Sequence, residues 1–238
     1  MNRWRCLAAI SLALVLAGRA ANVGLAEIDG PIGPATASYV ERAIDESARR
    51  QDECLVVRLD TPGGLLDSTR DIVRAFYASP VPVVVYVSPA GASATSAGCF
   101  ITLAADVAAM APGTSIGAAH PVALGGPAGG GEDKESGGVM KQKLENYAAS
   151  YIESIALKRG RNAAWAVESV RDSASVAAEK ALELKVIDLL AADTPALLRQ
   201  LDGRVVNGRT LHTAGVTIGE IPMTARERTF QLLWRPEG

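Results

Sequence analysis

Histidine and cysteine, the side chains most often used as general bases, redox centres and metal ligands, are scarce in this 238-residue chain. It has two histidines, His120 and His212, and three cysteines. A Ser-His-Asp triad is therefore not the obvious arrangement. No set of His, Cys, Asp and Glu has metal-ligand spacing, so no metal is expected. No glycine-rich phosphate fingerprint stands between a strand and a helix, so no cofactor is expected either. The formal net charge is −2 and there is no basic block, which argues against nucleic acid as a partner. After the first 20 residues no apolar run reaches the length of a membrane-crossing helix.

The first residues, "MNRWRCLAAISLALVLAGRAA", have a short basic start, an apolar middle and small residues after it. That is the pattern of a secretory signal peptide cut near Ala20, and an uncleaved anchor is the lesser reading. Its removal takes away Arg3, Arg5 and Arg19 and no acid, which moves the formal charge from −2 to −5. The expectation is an exported, extracytoplasmic protein. Cys6 leaves with the leader, and Cys54 and Cys99 read as two buried free thiols.

Short apolar runs alternate with helix-like runs along the chain. "CLVVRLD", "VPVVVYVS" and "VAAMAP" read as buried strands, and "PATASYVERAIDESARRQ" and "LLDSTRDIVRAFYAS" as amphipathic helices. The alternation predicts an α/β fold with a mostly parallel sheet of short buried strands flanked by helices. The Gly-rich segment Ala123–Val139 reads as a loop long enough to act as a lid or binding loop. A long helix is expected after it, from Met140, with Met140, Leu144, Tyr147, Tyr151 and Ile155 on its apolar face. The predicted organisation is a leader at 1–20, a catalytic domain at 21–201, and an extension at 202–238. In that extension "NG" suggests a hairpin and "ARERTFQLLW" a short amphipathic helix.

Two glycine-containing turns carry the chemistry. "GASATSAG", Gly91–Gly98, packs three hydroxyls between a buried strand and a helix. Ser96 stands at the helix start, where unpaired N–H groups and the dipole suit a developing oxyanion. A helix-start serine is also a common N-cap, and spacing alone favours that reading. "DTPGG", Asp60–Gly64, ends another strand, and its glycines let backbone N–H groups turn toward a ligand. Open α/β sheets bind ligands at such carboxyl ends. The base stays open at this point. His120 follows a strand, and Lys141 and Lys143 both lie near the edges of the helical apolar face, so periodicity does not choose between them. A lysine serves if its surroundings keep it neutral.

"LDTPGG", the block "PVVVYVSPAGASATSAGCFITLAADVAAMAPGTSIGAAHPV" and "GRNAAWAVESVRDSASVAAEKALELKVIDLLAAD" resemble the NfeD-type, or stomatin operon partner, membrane-associated serine proteases. These are similar to the Clp protease and crotonase-like group. The resemblance covers about Val23–Leu201. It implies a Ser-Lys dyad, with Ser96 as nucleophile because it matches the serine of "SAG". It places the base at Lys143 because "KLENYAASYI" matches the family's lysine-containing segment. The oxyanion donors implied are the N–H groups of Gly64 and Ala97. Gly63, Leu65, Leu66, Ile116, Gly117 and His120 are implied to line an extended substrate. Ser93 and Thr95 become turn support. The resemblance also implies an apolar peptide substrate, such as a segment of a stomatin-like membrane protein, and self-association as a dimer or larger ring. It further implies membrane association. Two other readings stand beside the protease: a non-catalytic scaffold for a stomatin-like partner, and a crotonase-like acyl-CoA enzyme, whose acidic residues and CoA pocket are not evident.

Overall fold

β-Branched runs and helix-spaced apolar residues alternate into eleven strands and eight helices in a computed structural model that describes residues 22–121 and 134–233. In chain order these are β1 (Asn22–Asp29), α1 (Pro34–Arg50), β2 (Leu55–Asp60), α2 (Leu66–Ala78), β3 (Val83–Val87), β4 (Ser93–Thr95), α3 (Ala97–Ala104), β5 (Val107–Met110) and β6 (Ser115–Gly117). There follow α4 (Lys134–Lys158), α5 (Ala163–Arg171), β7 (Ser175–Ala177), α6 (Ala178–Glu183), β8 (Leu189–Leu190), α7 (Thr194–Leu201), β9 (Val205–Val206), β10 (Arg209–Thr210), β11 (Thr217–Glu220) and α8 (Ala225–Leu233). The expected leader, residues 1–20, lies outside the described residues, as do 122–133 of the Gly-rich segment.

Six strands form the central sheet in the order β11-β1-β2-β3-β5-β8, with every pairing parallel. The fold is thus the α/β arrangement expected from the alternating runs. β3 shows why its sequence, "VVVYV", has no polar alternation. Val83, Val85 and Val87 enter one core while Val84 and Tyr86 enter the other. A strand covered on both faces is apolar throughout. Each such side chain contributes roughly 1.5–3 kcal/mol by leaving water. Helix α3 is buried at every position, as a helix apolar all round must be. It passes so close to β2 that a Cβ on Gly98 would stand 2.6 Å from Thr61 Cγ2.

A smaller sheet, β4-β6-β7, lies over the carboxyl ends of these strands, tied down by a bridge between Thr61 and Ala94. Its first strand falls inside "GASATSAG", a stretch the spacing reads as a plain turn. Three residues are too few to show a period.

Helix α4 departs from expectation in two ways. It begins at Lys134 rather than Met140, so "ESGGV" is helical. Its buried face is Ala148, Ala149, Ile152, Ile155 and Ala156, while Met140 and Tyr147 are exposed. Among the described residues, the helix body packs only beyond about residue 147, where the expected Ile155 and Tyr151 meet the core together with Ile152 and the small Ala148, Ala149 and Ala156. None of the described helices is long and apolar enough to cross a membrane.

In the C-terminal part, β9 and β10 pair across Asn207-Gly208, both at positive φ, as a two-residue hairpin turn requires. β11 then joins β1 at the sheet edge. Helix α8 has no buried residue. It is pinned to α1 by a two-point pair, Arg42 Nε and Nη2 on the Glu227 carboxylate, both 2.8 Å.

Candidate active site at the strand ends

Ser96 occupies the N-cap position of α3, yet it does not cap. Its backbone sits at φ 52°, ψ −111°, and its hydroxyl makes no capping hydrogen bond. A non-glycine residue held this way costs about 1–3 kcal/mol, which its neighbours must offset. They do so through the backbone. Ser96 N–H donates to Gly117 C=O at 3.0 Å, and Cys99 N–H donates to Ser96 C=O at 2.9 Å. The Ser96 side chain rests on Gly63, where an added Cβ would stand 2.8 Å from Ser96 Cβ. Only glycine at 63, itself at φ 129°, admits that approach.

The "DTPGG" turn is built onto the serine turn. Asp60 accepts Ser93 N–H at 2.9 Å, Thr61 N–H donates to Ser93 C=O at 2.8 Å, and Thr95 N–H donates to Thr61 C=O at 3.1 Å. Ser93 Oγ also donates to Thr61 C=O. The buried Thr61 hydroxyl accepts Gly63 N–H at 3.1 Å and so sets the start of the glycine pair. On its other side the turn is laddered to Ile32. Ile32 N–H donates to Gly63 C=O and Leu65 N–H to Ile32 C=O. A Cβ on Gly64 would lie 2.1 Å from Ile32 O, so glycine is required there by close backbone approach. Among the described residues, the N–H groups of Gly64 and Ala97 have no hydrogen-bond partner. Two unengaged N–H groups therefore lie in the turns that meet at the half-buried Ser96. That combination can stabilise an oxyanion.

The other expected site residues have varied surroundings. Leu65 and Leu66 are half-buried beside Gly64 and offer apolar surface. Ile116 and Gly117, expected to line substrate, already pair on both sides, with β4 and with β7. Ile116 is buried, and Gly117 C=O is taken by Ser96 N–H. Gly117 thereby holds the Ser96 backbone, and β6 is the middle strand of its sheet. His120 Nδ1 lies 2.9 Å from Val170 C=O, which ties the ring to α5. His212 stands beside Glu53, before the start of β2. The site follows the end of β2, about 20 Å away at the rise of a six-residue strand. Cys54 and Cys99 are buried free thiols whose pKa burial pushes up to about 12, so neither is a competing nucleophile. No metal-binding cluster occurs among the described residues.

Lys141 and Lys143 are both exposed on the outer part of α4. Their surroundings differ through a chain of rings. Tyr151 stacks on Phe100 of α3, with centroids 5.9 Å apart, and Tyr147 stacks on Tyr151 at 6.1 Å. Arg70, near the start of α2, covers Tyr147 at 5.8 Å. Residues 143, 147 and 151 follow at intervals of four and share one helix face. That face runs along α3 toward its Ser96 end and beside the first turn of α2, just after Gly64. The resemblance alone selected Lys143; the ring ladder is the structural feature that accompanies it.

The chain is 36% identical over 222 residues to "Membrane-bound protease PH1510" of Pyrococcus horikoshii, covering 90% of this chain and 48% of that protein. It is 30% identical over 131 residues to "Membrane protein NfeD1b" of Bacillus subtilis, covering 55% of this chain and 27% of the relative. It therefore spans less than half the length of either. Among solved structures it resembles a serine-to-alanine mutant of the 1510-N membrane-bound stomatin-specific protease. The TM-score is 0.76 at 36% identity, over 85% of this chain and 98% of that one. A lysine-to-alanine mutant of the same protease, in complex with a substrate peptide, matches with TM-score 0.76 at 33% identity, over 90% and 98% of the two chains. Residues 23–212 match the family described as "NfeD1b, N-terminal domain", and the chain belongs to that family.

Proposed function

We propose that this protein is a serine endopeptidase with Ser96 as nucleophile, Lys143 as general base, and the Gly64 and Ala97 N–H groups as oxyanion donors. The observation that carries the reading is Ser96 itself. Its strained backbone carries a non-capping hydroxyl, and the two turns that meet there hold the unengaged N–H groups of Gly64 and Ala97. The similar solved structures, of a protease with a serine mutated in one case and a lysine in another, support it.

In this reading Lys143 takes the Ser96 proton as Oγ attacks a peptide carbonyl. The oxyanion accepts from Gly64 and Ala97, and Lys143 then delivers the proton to the departing amine. Water hydrolyses the acyl-enzyme by the reverse sequence. Lys143 is exposed, and a bound apolar peptide lying over it shields it from water. An apolar segment also suits Leu65 and Leu66. The similar protease is named as specific for a stomatin homologue, and we take a stomatin-like membrane protein as the substrate class here.

A fluorophosphonate probe tests the nucleophile. Covalent labelling at Ser96, lost in Ser96→Ala, is expected. Labelling elsewhere, or none while apolar peptides bind, would replace the protease with a binding scaffold.

A further inference from the structure

The ladder between β1 and β11 is interrupted by a side chain. Their pairing runs regularly from Asn22↔Thr217 to Leu25↔Glu220, and Ile221 N–H donates to Leu25 C=O at 2.8 Å. The next rung would join Glu27 N–H to Ile221 C=O. Instead the buried Tyr39 hydroxyl stands between them, accepting Glu27 N–H at 2.9 Å and donating to Ile221 C=O at 2.6 Å. Beyond this wedge Pro222, which has no N–H, turns the chain away toward α8.

The wedge leaves the outer edge of β1 open at its carboxyl end. Among the described residues, Glu27 C=O and Asp29 N–H have no hydrogen-bond partner. These two groups are the acceptor and donor that one residue of a parallel strand satisfies together. A cavity of about 300 Å³ lies against them, with Ile28, Ile221, Pro222 and Met223 among its walls. Asp29, at its rim, has no ion-pair partner among the described residues. The cavity is close to the proposed site. Asp29 is three residues before Ile32, a span of at most about 10 Å, and Ile32 is bridged to Gly64.

We propose that this cavity is a strand-addition site for the same polypeptide that is cleaved at Ser96. A segment a few residues from the scissile bond pairs with Glu27 and Asp29, seats an apolar side chain against Ile221 and Met223, and brings a Lys or Arg to Asp29. Main-chain pairing gives affinity and the pocket gives selectivity. This rests on the protease reading for the identity of the occupant, but not for the pairing.

The test uses the full chain carrying Ser96→Ala, a twelve-residue Val/Ala-repeat peptide with one lysine, and a five-residue version. Amide hydrogen exchange is read with each. The longer peptide should slow exchange at Glu27–Asp29 at least tenfold and the shorter should not. Met223→Trp, which fills the cavity, should remove that protection while the Gly63–Leu65 segment remains protected. Protection at Gly63–Leu65 without any at Glu27–Asp29 overturns the proposal and leaves the protease standing. Protection at Glu27–Asp29 with no cleavage of either peptide by the native chain supports the strand-addition site and refutes the protease. No protection at Glu27–Asp29 by the longer peptide overturns the site whatever the cleavage result.

Discussion

Ser96 and Lys143 lie in regions built on different principles. Around Ser96 the structure is over-determined. Thr61, Ala97 and Gly98 are buried or in van der Waals contact, backbone bonds run to Gly117 and Cys99, and Gly63 leaves no room for a Cβ. Around Lys143 the described residues of the helix are exposed or half-buried, and order comes from the ring ladder of Tyr147, Tyr151 and Phe100. Farther along, α4 is anchored firmly. Arg159 bonds Asp106 and Ala104 C=O, and the buried Arg161 bonds Leu103 C=O, Ala105 C=O and Asp188. A strained nucleophile needs rigid support. The proposed base stands instead on an exposed helix turn, which substrate would cover on arrival.

The sharpest way to break this contrast is to remove each partner. Ser96→Ala and Lys143→Ala should each lower kcat/KM on a fluorogenic apolar peptide by at least roughly 10³-fold, as loss of either half of a unit does. Lys141→Ala should stay within a few-fold of the native value. Equal losses at both lysines would show that the ring ladder does not aim the helix.

Rigidity at the serine side predicts a large cost for a single methyl. Gly63→Ala places a Cβ 2.8 Å from Ser96 Cβ at φ 129°. It should destabilise the fold by about 1–3 kcal/mol and slow turnover by roughly 10² through misplacement of Oγ. Thermal unfolding and initial rates measure the two. No comparable glycine constraint exists at Gly138 of α4, where an added Cβ meets open space, so Gly138→Ala should leave stability unchanged or slightly raised.

Thr61 links the two turns, and its effect should be smaller. Thr61→Val keeps the volume but leaves Gly63 N–H without its acceptor, at about 1–3 kcal/mol for a buried group. A loss in kcat with little change in KM is expected, with Thr61→Ser restoring most of it. A Thr61→Val enzyme with native kcat would mean that the hydroxyl does not position the glycine pair.

The smallest effect is at α8. The Arg42 guanidinium, with help from Thr224, holds the Glu227 carboxyl down to about 2 from an ordinary 4.5. The folded value is the lower one, so the pair stabilises α8 fully above pH 4.5. That stabilisation is lost as pH falls from 4.5 through 2. After solvent screening it is of the order of 1 kcal/mol. Amide exchange of residues 225–233 should quicken over that range, and Arg42→Ala should flatten the dependence.

Much of the molecule is readable from local pattern. "CLVVRLD" and "VPVVVYVS" are doubly buried strands, and a continuous β-branched run has few other uses. "PGG" and "SAG" are legible as turns because glycine and small residues announce close backbone approach. Other features leave no local trace. The three-residue strand β4 is shorter than any detectable period, and the pairing of β11 with β1 joins residues about 195 positions apart. The expected face of α4 holds at Tyr151 and Ile155 and fails toward its start. Met140 and Tyr147 mark a helical stripe in sequence, but the body of the protein meets that helix at Ala148, Ala149 and Ile152.

By itself, then, the sequence determined a parallel α/β scaffold, two glycine turns at strand ends and, through family resemblance, the serine and lysine expected at the site. Tertiary structure decided that Ser96 is strained rather than capping, because Gly117 C=O and the Gly63 backbone reach it from distant segments. It also decided that Tyr39 opens the edge of β1 and that Gly117 holds the serine backbone. Such roles depend on which backbone groups are already paired, and pairing is a property of neighbours in space rather than of neighbours in the chain.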